Sequence, residues 1–269
     1  MSAVALHIRP AFAVVKRDFL VAWSYRIRFI TGLIGSIAPL IVFYYVSRLV
    51  QVDAFSPGEY FAFVTVGILI HEILTATLNI PHMMLRQELV AGTFERMLLA
   101  PGGTITSIVA LMVYPALYSL VTVTALVGAA SILFGLDIEW STVPLALPLA
   151  LLSLLAFAPF GMLLLAAVVV GKKAPPGTTY LLMGMTLIAG LYFPVTLLPD
   201  WIQWASEVQP FTPAVELLRW ALAGQALIDP AWLSVTKLVA FATVAMPVSL
   251  AAMSAALRLS RRRGTILEY

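Results

Sequence analysis

Residues 143–170 read VPLALPLALLSLLAFAPFGMLLLAAVVV, and none of these side chains carries a charge. A hydrocarbon core about 30 Å thick is crossed by about 20 helical residues, so an apolar run of roughly 18 or more residues predicts a transmembrane helix. Core helices of soluble proteins seldom need so long a run. This segment therefore predicts a membrane span.

Five further apolar runs extend the pattern along the chain. They are Phe29 to Ser47, Tyr60 to Ile80, Ile105 to Phe134, Thr178 to Leu198 and Leu233 to Leu257. A membrane barrel would instead need segments of about ten residues with alternating hydrophobicity, and these runs do not alternate. The sequence predicts an all-α integral membrane bundle of six transmembrane helices, forming a single domain over residues 1–269.

The composition excludes an ordinary soluble domain. Of the 269 residues, 61% are hydrophobic and 11% are charged, whereas soluble domains carry about 25% charged residues. The sequence has no cysteine, which excludes disulfides and thiolate metal sites. The first apolar stretch is short and is broken by Lys16, Arg17 and Asp18, so we do not expect a cleaved signal peptide.

The charges predict the orientation. With both termini in the cytoplasm, the outer segments contain only Arg48, Arg219 and Lys237 of the 16 basic residues, as the positive-inside rule requires. The acidic side chains favour the outer side, where we place Asp53, Glu59, Asp137, Glu139, Asp200, Glu207, Glu216 and Asp229. The formal charge of +3 reflects this orientation, and we expect no nucleic-acid partner.

Residues 8–23 have the pattern of an amphipathic helix. Ile8, Phe12, Val15, Phe19, Ala22 and Trp23 share one face at helical spacing. Pro10 suits a first helical turn. We predict an interfacial helix on the inner membrane surface, with Trp23 as an anchor. The alternative is a cytoplasmic helix packed on the bundle.

The link at residues 81–103 is the more polar cytoplasmic segment. Leu85, Leu89 and Val90 repeat at helical spacing, and Gly92 then interrupts the pattern. Thr93 can cap a new turn, and a Pro-Gly-Gly sequence at 101–103 ends it. This link is predicted to be two short helical pieces with an elbow at Gly92.

The outer link at residues 190–226 is the longest. Pro194 and Pro199 break helices, and Trp201, Trp204 and Trp220 are typical of a membrane interface. We predict a re-entrant helical hairpin in the outer leaflet, before the last span. The alternative is an ordinary outer loop with one amphipathic helix.

The search for enzyme motifs gives no catalytic residue, no metal site and no cofactor site. The chain lacks the G-x-x-x-x-G-K-[ST] phosphate loop and the G-x-S-x-G elbow. The segment from His71 to Thr75 reads HEILT, and a zinc protease would need a second histidine where Thr75 stands.

Two strings carry a family resemblance. QELVAGTFERMLLAP, residues 87–101, resembles the cytoplasmic signature of the type-2 ABC exporter permeases. YFPVTLLPDWIQWASEVQPFTPAVELLRWAL, residues 192–222, resembles the segment that precedes the last helix in that family. Both strings stand at the expected places in a chain with six predicted spans.

The resemblance implies a permease of the cell (inner) membrane with no ATPase of its own. Such a permease pairs with a second permease chain, identical or paralogous, and is driven by separate cytoplasmic ABC ATPase subunits. It would export a hydrophobic, lipid-like or glycan substrate. The 81–103 link would then be the coupling loop, in which the residues expected to meet the ATPase are Arg86, Glu88, Gly92, Thr93, Phe94, Glu95 and Arg96. The alternative for these charges is a solvated loop.

His71 and Glu72 are ionisable residues near the middle of the second predicted span. Charge at that depth costs about 2.5–3.5 kcal/mol on insertion scales, so such residues face the bundle interior or a wet cavity. Glu72 could hydrogen-bond a neighbouring helix, or line the export path near the dimer interface, or carry a coupling proton. Two other classes therefore stay open, a proton-coupled transporter and a non-transport membrane assembly component.

Overall fold

The computed structural model describes residues 3–49, 55, 58–100, 103–171 and 178–263. Within them the chain is helical and has no strand. The helices are α1 (Ala3–Ser24), α2 (Arg26–Leu49), α3 (Glu59–Leu74), α4 (Ile80–Val90), α5 (Phe94–Leu98), α6 (Thr104–Phe134), α7 (Val143–Gly171), α8 (Thr178–Ile188), α9 (Asp200–Val208), α10 (Phe211–Ala223) and α11 (Ala231–Arg262). The predicted all-α membrane bundle is confirmed.

Among the described residues, five helical segments are long and apolar enough to cross a membrane. They are Ile30–Leu49, Glu59–Val90, Thr104–Phe134, Val143–Gly171 and Ala231–Arg262. They match five of the six predicted spans. The remaining one, Thr178 to Leu198, is α-helical only as far as Ile188, because the chain turns at Gly190 with a φ of 72° and reaches Pro194 shortly afterwards; a short 3-10 helix, Val195–Leu197, follows.

The second span is longer than the sequence predicts. It does not end at Ile80 but continues through a π-helical turn, Thr75–Asn79, into α4. Pro81 has no N–H for the carbonyl four residues back, and a widened turn accommodates that missing bond within the helix. The first predicted piece of the 81–103 link is therefore the end of a transmembrane helix.

The extended helix α3–α4 lies at the centre of the bundle. In its most apolar window 78% of the residues are buried, against 6% for α2 and 17% for α11. α7 packs against α11, α10, α4 and the π-helical turn, while α2 and α6 cover α3 from the other side. A movement of α4 would therefore displace the helices that pack around the central helix.

Two glycines allow backbones to touch this central helix. A Cβ added at Gly161 in α7 would lie 2.0 Å from the carbonyl oxygen of Thr77, inside the π-helical turn. A Cβ added at Gly67 in α3 would lie 2.0 Å from the carbonyl oxygen of Leu191, in the turn after α8. Both contacts are with backbone atoms, which cannot rotate away.

The N-terminal amphipathic helix is present as α1, and it packs against α6 and α2. Its apolar face points outward: Phe12, Phe19 and Trp23 are exposed, while Asp18 on the opposite side is buried. Lys16 and Arg17 of α1 are exposed as well, and the location of this helix on the inner membrane surface stays a prediction.

Candidate functional site

The elbow between α4 and α5 has the geometry of a Schellman helix end. Gly92 adopts a φ of 68°. The Gly92 N–H donates to the carbonyl of Leu89 at 3.2 Å, and the Thr93 N–H donates to the carbonyl of Glu88 at 3.0 Å. Glycine favours this left-handed position because it has no Cβ. The sequence-predicted elbow lies at the expected residue, and α5 begins directly after Thr93.

A polar network joins this elbow to α1. The Glu88 carboxylate accepts a short hydrogen bond from the Thr93 hydroxyl. It also forms an ion pair with Arg17, in which Nη1 of Arg17 lies 3.0 Å from Oε1 of Glu88. Arg17 also contacts the Oδ1 of Asp18 through Nη2 at 2.8 Å. α1, α4 and the start of α5 are therefore held together by side chains, although they are connected through different parts of the chain.

Asp18 is the most buried charged residue of this network. Its side chain is 7% exposed, and its Oδ2 has no hydrogen-bond partner among the described residues. Burial raises the pKa of the Asp18 carboxyl, repulsion from Glu88 adds to the effect, and the contacts with Arg17 oppose it. Arg17 thus holds two carboxylates that would otherwise repel each other.

α5 is seated on the bundle by apolar side chains. Phe94 is 3% exposed and, with Met97, packs in a cluster with Leu85, Leu89 and Ile108. In this conformation Phe94 is an internal anchor, and its ring is not available to a partner. Glu88 is likewise engaged inside the molecule, with 17% of its side chain exposed.

The exposed residues of this segment form a small mixed surface, which we call the elbow surface. It consists of Arg86, Gln87, Val90, Ala91, Gly92, Arg96 and Leu99, which are all exposed. The side chain of Glu95 lies outside the described residues. Of the seven residues that the resemblance assigned to ATPase contact, the structure places Arg86, Gly92 and Arg96 at the surface and leaves that contact a prediction.

His71 and Glu72 lie one turn before the π-helical turn of the second span. His71 is exposed and Glu72 is half-buried. The Glu72 carboxyl lies within electrostatic reach of the hydroxyls of Tyr118 in α6 and Tyr192 after α8. A π-helical turn inside a long helix often accompanies a functional site. The structure therefore leaves both residues incompletely covered by the rest of the chain.

Arg219 is a buried residue whose role the sequence did not reveal. It lies on α10 with 7% exposure and donates to the carbonyl oxygens of Gly190 at 2.8 Å, Leu191 at 3.0 Å and Phe63 at 3.4 Å. Its guanidinium carbon is 3.3 Å from the centre of the Phe63 ring. The five N–H donors of a guanidinium can serve several carbonyls at once. Arg219 therefore fastens the hairpin to the end of α8 and to α3.

The C-terminal end of α10, close to Arg219, is also fixed to the segment before α7. The Thr142 hydroxyl donates to the carbonyl of Ala221 at 2.7 Å, and the Glu139 N–H donates to the carbonyl of Leu222 at 3.1 Å. α10 is mostly buried, whereas Trp201 and Trp204 of α9 are exposed. A basic residue between Leu218 and Trp220, in a mostly apolar helix, was the signal that could have marked Arg219.

Comparison with known proteins identifies one family. The sequence model of the ABC-2 type transporter family matches residues 10–223. The match covers α1, the elbow and the hairpin as far as the end of α10. A comparison with curated proteins found no match.

Proposed function

The chain belongs to the ABC-2 type transporter family, and we propose that it is the permease subunit of an ATP-driven exporter. Family membership makes it a multi-pass membrane permease that is not itself the catalyst of ATP hydrolysis. The proposal adds that separate cytoplasmic ATPase subunits supply the energy. It also adds that the substrate leaves the cytoplasm and is hydrophobic, lipid-like or a glycan.

The observation that carries the proposal is the elbow surface at the end of the central helix. The elbow is rigid, because a Schellman turn, the Phe94 anchor and the network of Arg17, Glu88 and Thr93 all hold it. A partner that moves such a unit also moves α4 and, through the continuous helix, the region of Glu72. A flexible, solvated loop would not transmit force in this way.

The distribution of basic residues supports the proposed orientation. The elbow surface carries Arg86 and Arg96, and the end of α11 carries Arg261 and Arg262. Arg261 lies 3.4 Å from the hydroxyl of Thr104 at the start of α6, so both regions belong to one end of the bundle. We propose that the protein lies in the inner membrane, and by the positive-inside rule this end then faces the cytoplasm. There it would meet ATPase subunits.

His71 and Glu72 support a paired permease with the pathway between two copies. An ionisable side chain at mid-span is costly against lipid and is normally covered by protein or by a wet cavity. In the single chain His71 is exposed. A second permease chain, identical or paralogous, would turn this surface into the wall of an enclosed path. The hairpin α9–α10 would then close that path from the outer leaflet.

Charge reversal on the elbow surface tests the coupling role. The permease is purified with its ATPase subunits, and Arg86→Glu/Arg96→Glu is compared with Arg258→Glu/Arg262→Glu, which alters exposed cations on α11. We expect the elbow variant to lose ATPase binding or to uncouple hydrolysis from export, while its thermal unfolding stays unchanged. Normal coupled export in the elbow variant, or the absence of any ATPase from the purified complex, would contradict the proposal.

Glu72→Gln tests the pathway separately. The variant keeps the shape and most hydrogen bonds of the side chain and removes its charge. A pathway role predicts normal assembly and normal ATPase coupling with altered export or altered substrate preference. A variant that exports every tested substrate like the parent excludes that role for Glu72.

A further inference from the structure

A groove of about 640 Å³ lies between α1, the start of α2 and α6. Its walls are apolar side chains, among them Phe12, Phe19 and Trp23 of α1 and Leu117 and Val121 of α6. Each of these is more than half exposed. Nothing in the described part of the chain fills the groove.

Two cations lie among these apolar walls. Lys16 of α1 and Arg26 of α2 line the groove, and no acidic residue of the described part of the chain does. Neither cation belongs to an ion pair among the described residues, whereas Arg17 beside them is engaged by Asp18 and Glu88. Lys16 is not one of the residues of the apolar face of α1 that the sequence predicts, but the structure shows it in the groove that this face lines.

We propose that this groove binds one anionic phospholipid, with an acyl chain along the apolar walls and the headgroup phosphate at Lys16 and Arg26. An apolar groove whose described lining contains two cations and no acidic residue is complementary to a molecule that joins a hydrocarbon chain to a negative charge. Basic residues at a membrane surface attract anionic lipids. In the proposed orientation the lipid comes from the inner leaflet.

The lipid would stabilise the junction on which the elbow depends. α1 carries both a wall of the groove and, next to Lys16 in the chain, the Arg17 that pairs with Glu88. A bound lipid fills the gap between α1 and α6 and neutralises two cations beside that ion pair. The binding itself does not rest on the export function and can be measured without ATPase subunits.

Trp23 reports on the groove directly. It is one of six tryptophans, and the other five, Trp140, Trp201, Trp204, Trp220 and Trp232, lie between Gly135 and the first turn of α11, away from α1. The fluorescence of Trp23 is therefore obtained by subtracting the tryptophan emission of the Trp23→Phe variant from that of the parent chain. The chain is placed in nanodiscs with a constant mixture of phosphatidylglycerol and phosphatidylcholine. Brominated acyl chains, which quench tryptophan, are carried either by the first lipid or by the second.

We expect brominated phosphatidylglycerol to quench Trp23 more strongly than brominated phosphatidylcholine, with a preference of about fivefold for each cation involved. In Lys16→Gln/Arg26→Gln, the two brominated lipids should quench Trp23 equally. That quenching would also show that the groove of the variant still admits acyl chains. Arg258→Gln/Arg262→Gln, matched in charge change but remote from the groove, should keep the preference.

Salt provides a second measurement on the unmodified chain, in case the double variant fails to fold. Screening of the headgroup should reduce the preference as ionic strength rises. Equal quenching by the two labels at low salt would overturn the proposal, as would a preference that survives the loss of both cations. Absence of any Trp23 quenching would show that something other than lipid covers the groove, and would overturn it too.

Discussion

At the scale of single residues, the molecule is organised by a few close contacts that involve backbone atoms. Arg219 serves carbonyls from two other segments, and Gly161 and Gly67 let carbonyls approach where any other residue would collide. In a membrane these contacts matter because no water is present to satisfy or separate the groups.

Arg219→Met should destabilise the protein by about 2–4 kcal/mol, because it leaves the buried carbonyls of Gly190 and Leu191 without their donor. Thermal unfolding in detergent measures the loss. Arg219→Lys should fall in between, since an ammonium cannot reach the same carbonyls with a planar fork. Arg262→Met, at an exposed position, is the control. Equal unfolding temperatures for the two methionine variants would show that the contacts of Arg219 do not stabilise the protein.

Gly161→Ala should destabilise by about 1–3 kcal/mol, since overpacking against the Thr77 carbonyl forces the helices apart. Gly128→Ala is the matched control, because no atom lies within 4 Å of an added Cβ at that helical site. Alanine favours a helix by about 1 kcal/mol over glycine, so the control should be neutral or slightly stabilising. If both variants unfold alike, the close approach in the structure is not a constraint.

At the scale of secondary-structure elements, the continuous helix from Glu59 to Val90 connects the candidate sites. It carries His71 and Glu72, then the π-helical turn, and ends in the Schellman turn at Gly92. α1 supports this helix end through one ion pair. The network makes α1 and the elbow a single mechanical unit.

The ion pair between Arg17 and Glu88 can be measured by a double-mutant cycle. Arg17→Gln, Glu88→Gln and the double variant should show a coupling of about 0.5–1 kcal/mol in thermal unfolding, since Arg17 is partly exposed and water screens the pair. Lys16→Gln combined with Glu88→Gln should be additive, because no ion pair joins those two residues. A coupling energy of zero between Arg17 and Glu88 would show that this ion pair does not hold α1 to the elbow.

At the scale of the whole molecule, the two ends of the bundle differ in charge and in construction. One end carries the elbow and the basic end of α11. The other carries the hairpin, fastened by Arg219 and by Thr142. This asymmetry is what a transporter with its energy source on one side requires.

Single cysteines test the orientation, since the chain has none of its own. The structure also selects the positions, because Ser206 and Ser260 are buried whereas Ser141, Glu207 and Arg262 are exposed. An impermeant thiol reagent on intact cells should label Ser141→Cys and Glu207→Cys. Arg262→Cys should react only after the cells are permeabilised, and its labelling in intact cells would invert the orientation.

The oligomeric state is a separate prediction. We expect the purified transporter to contain two permease chains, because one chain leaves the ionisable His71 exposed at mid-span. The mass of the complex in nanodiscs, determined with its ATPase subunits bound, measures the number. A transport-active complex with one permease chain would exclude a pathway between two copies.

The sequence by itself determined the class of the molecule and the location of its turns. Length and hydropathy are properties of single segments, so the runs around residues 143–170 were sufficient to predict a helical membrane protein. Gly92 marked the elbow for the same reason, since a helix end in the left-handed conformation is a local choice that glycine favours.

Only the tertiary structure decided which side chains are available and which are used internally. Phe94 matched a surface motif but is buried by Leu85 and Ile108, and Arg219 looked like an outer-loop cation but binds the carbonyls after α8. The π-helical turn of the second span also packs its Thr77 carbonyl against Gly161 in another helix. Such outcomes depend on contacts between residues far apart in the chain, and no pattern within one segment contains them.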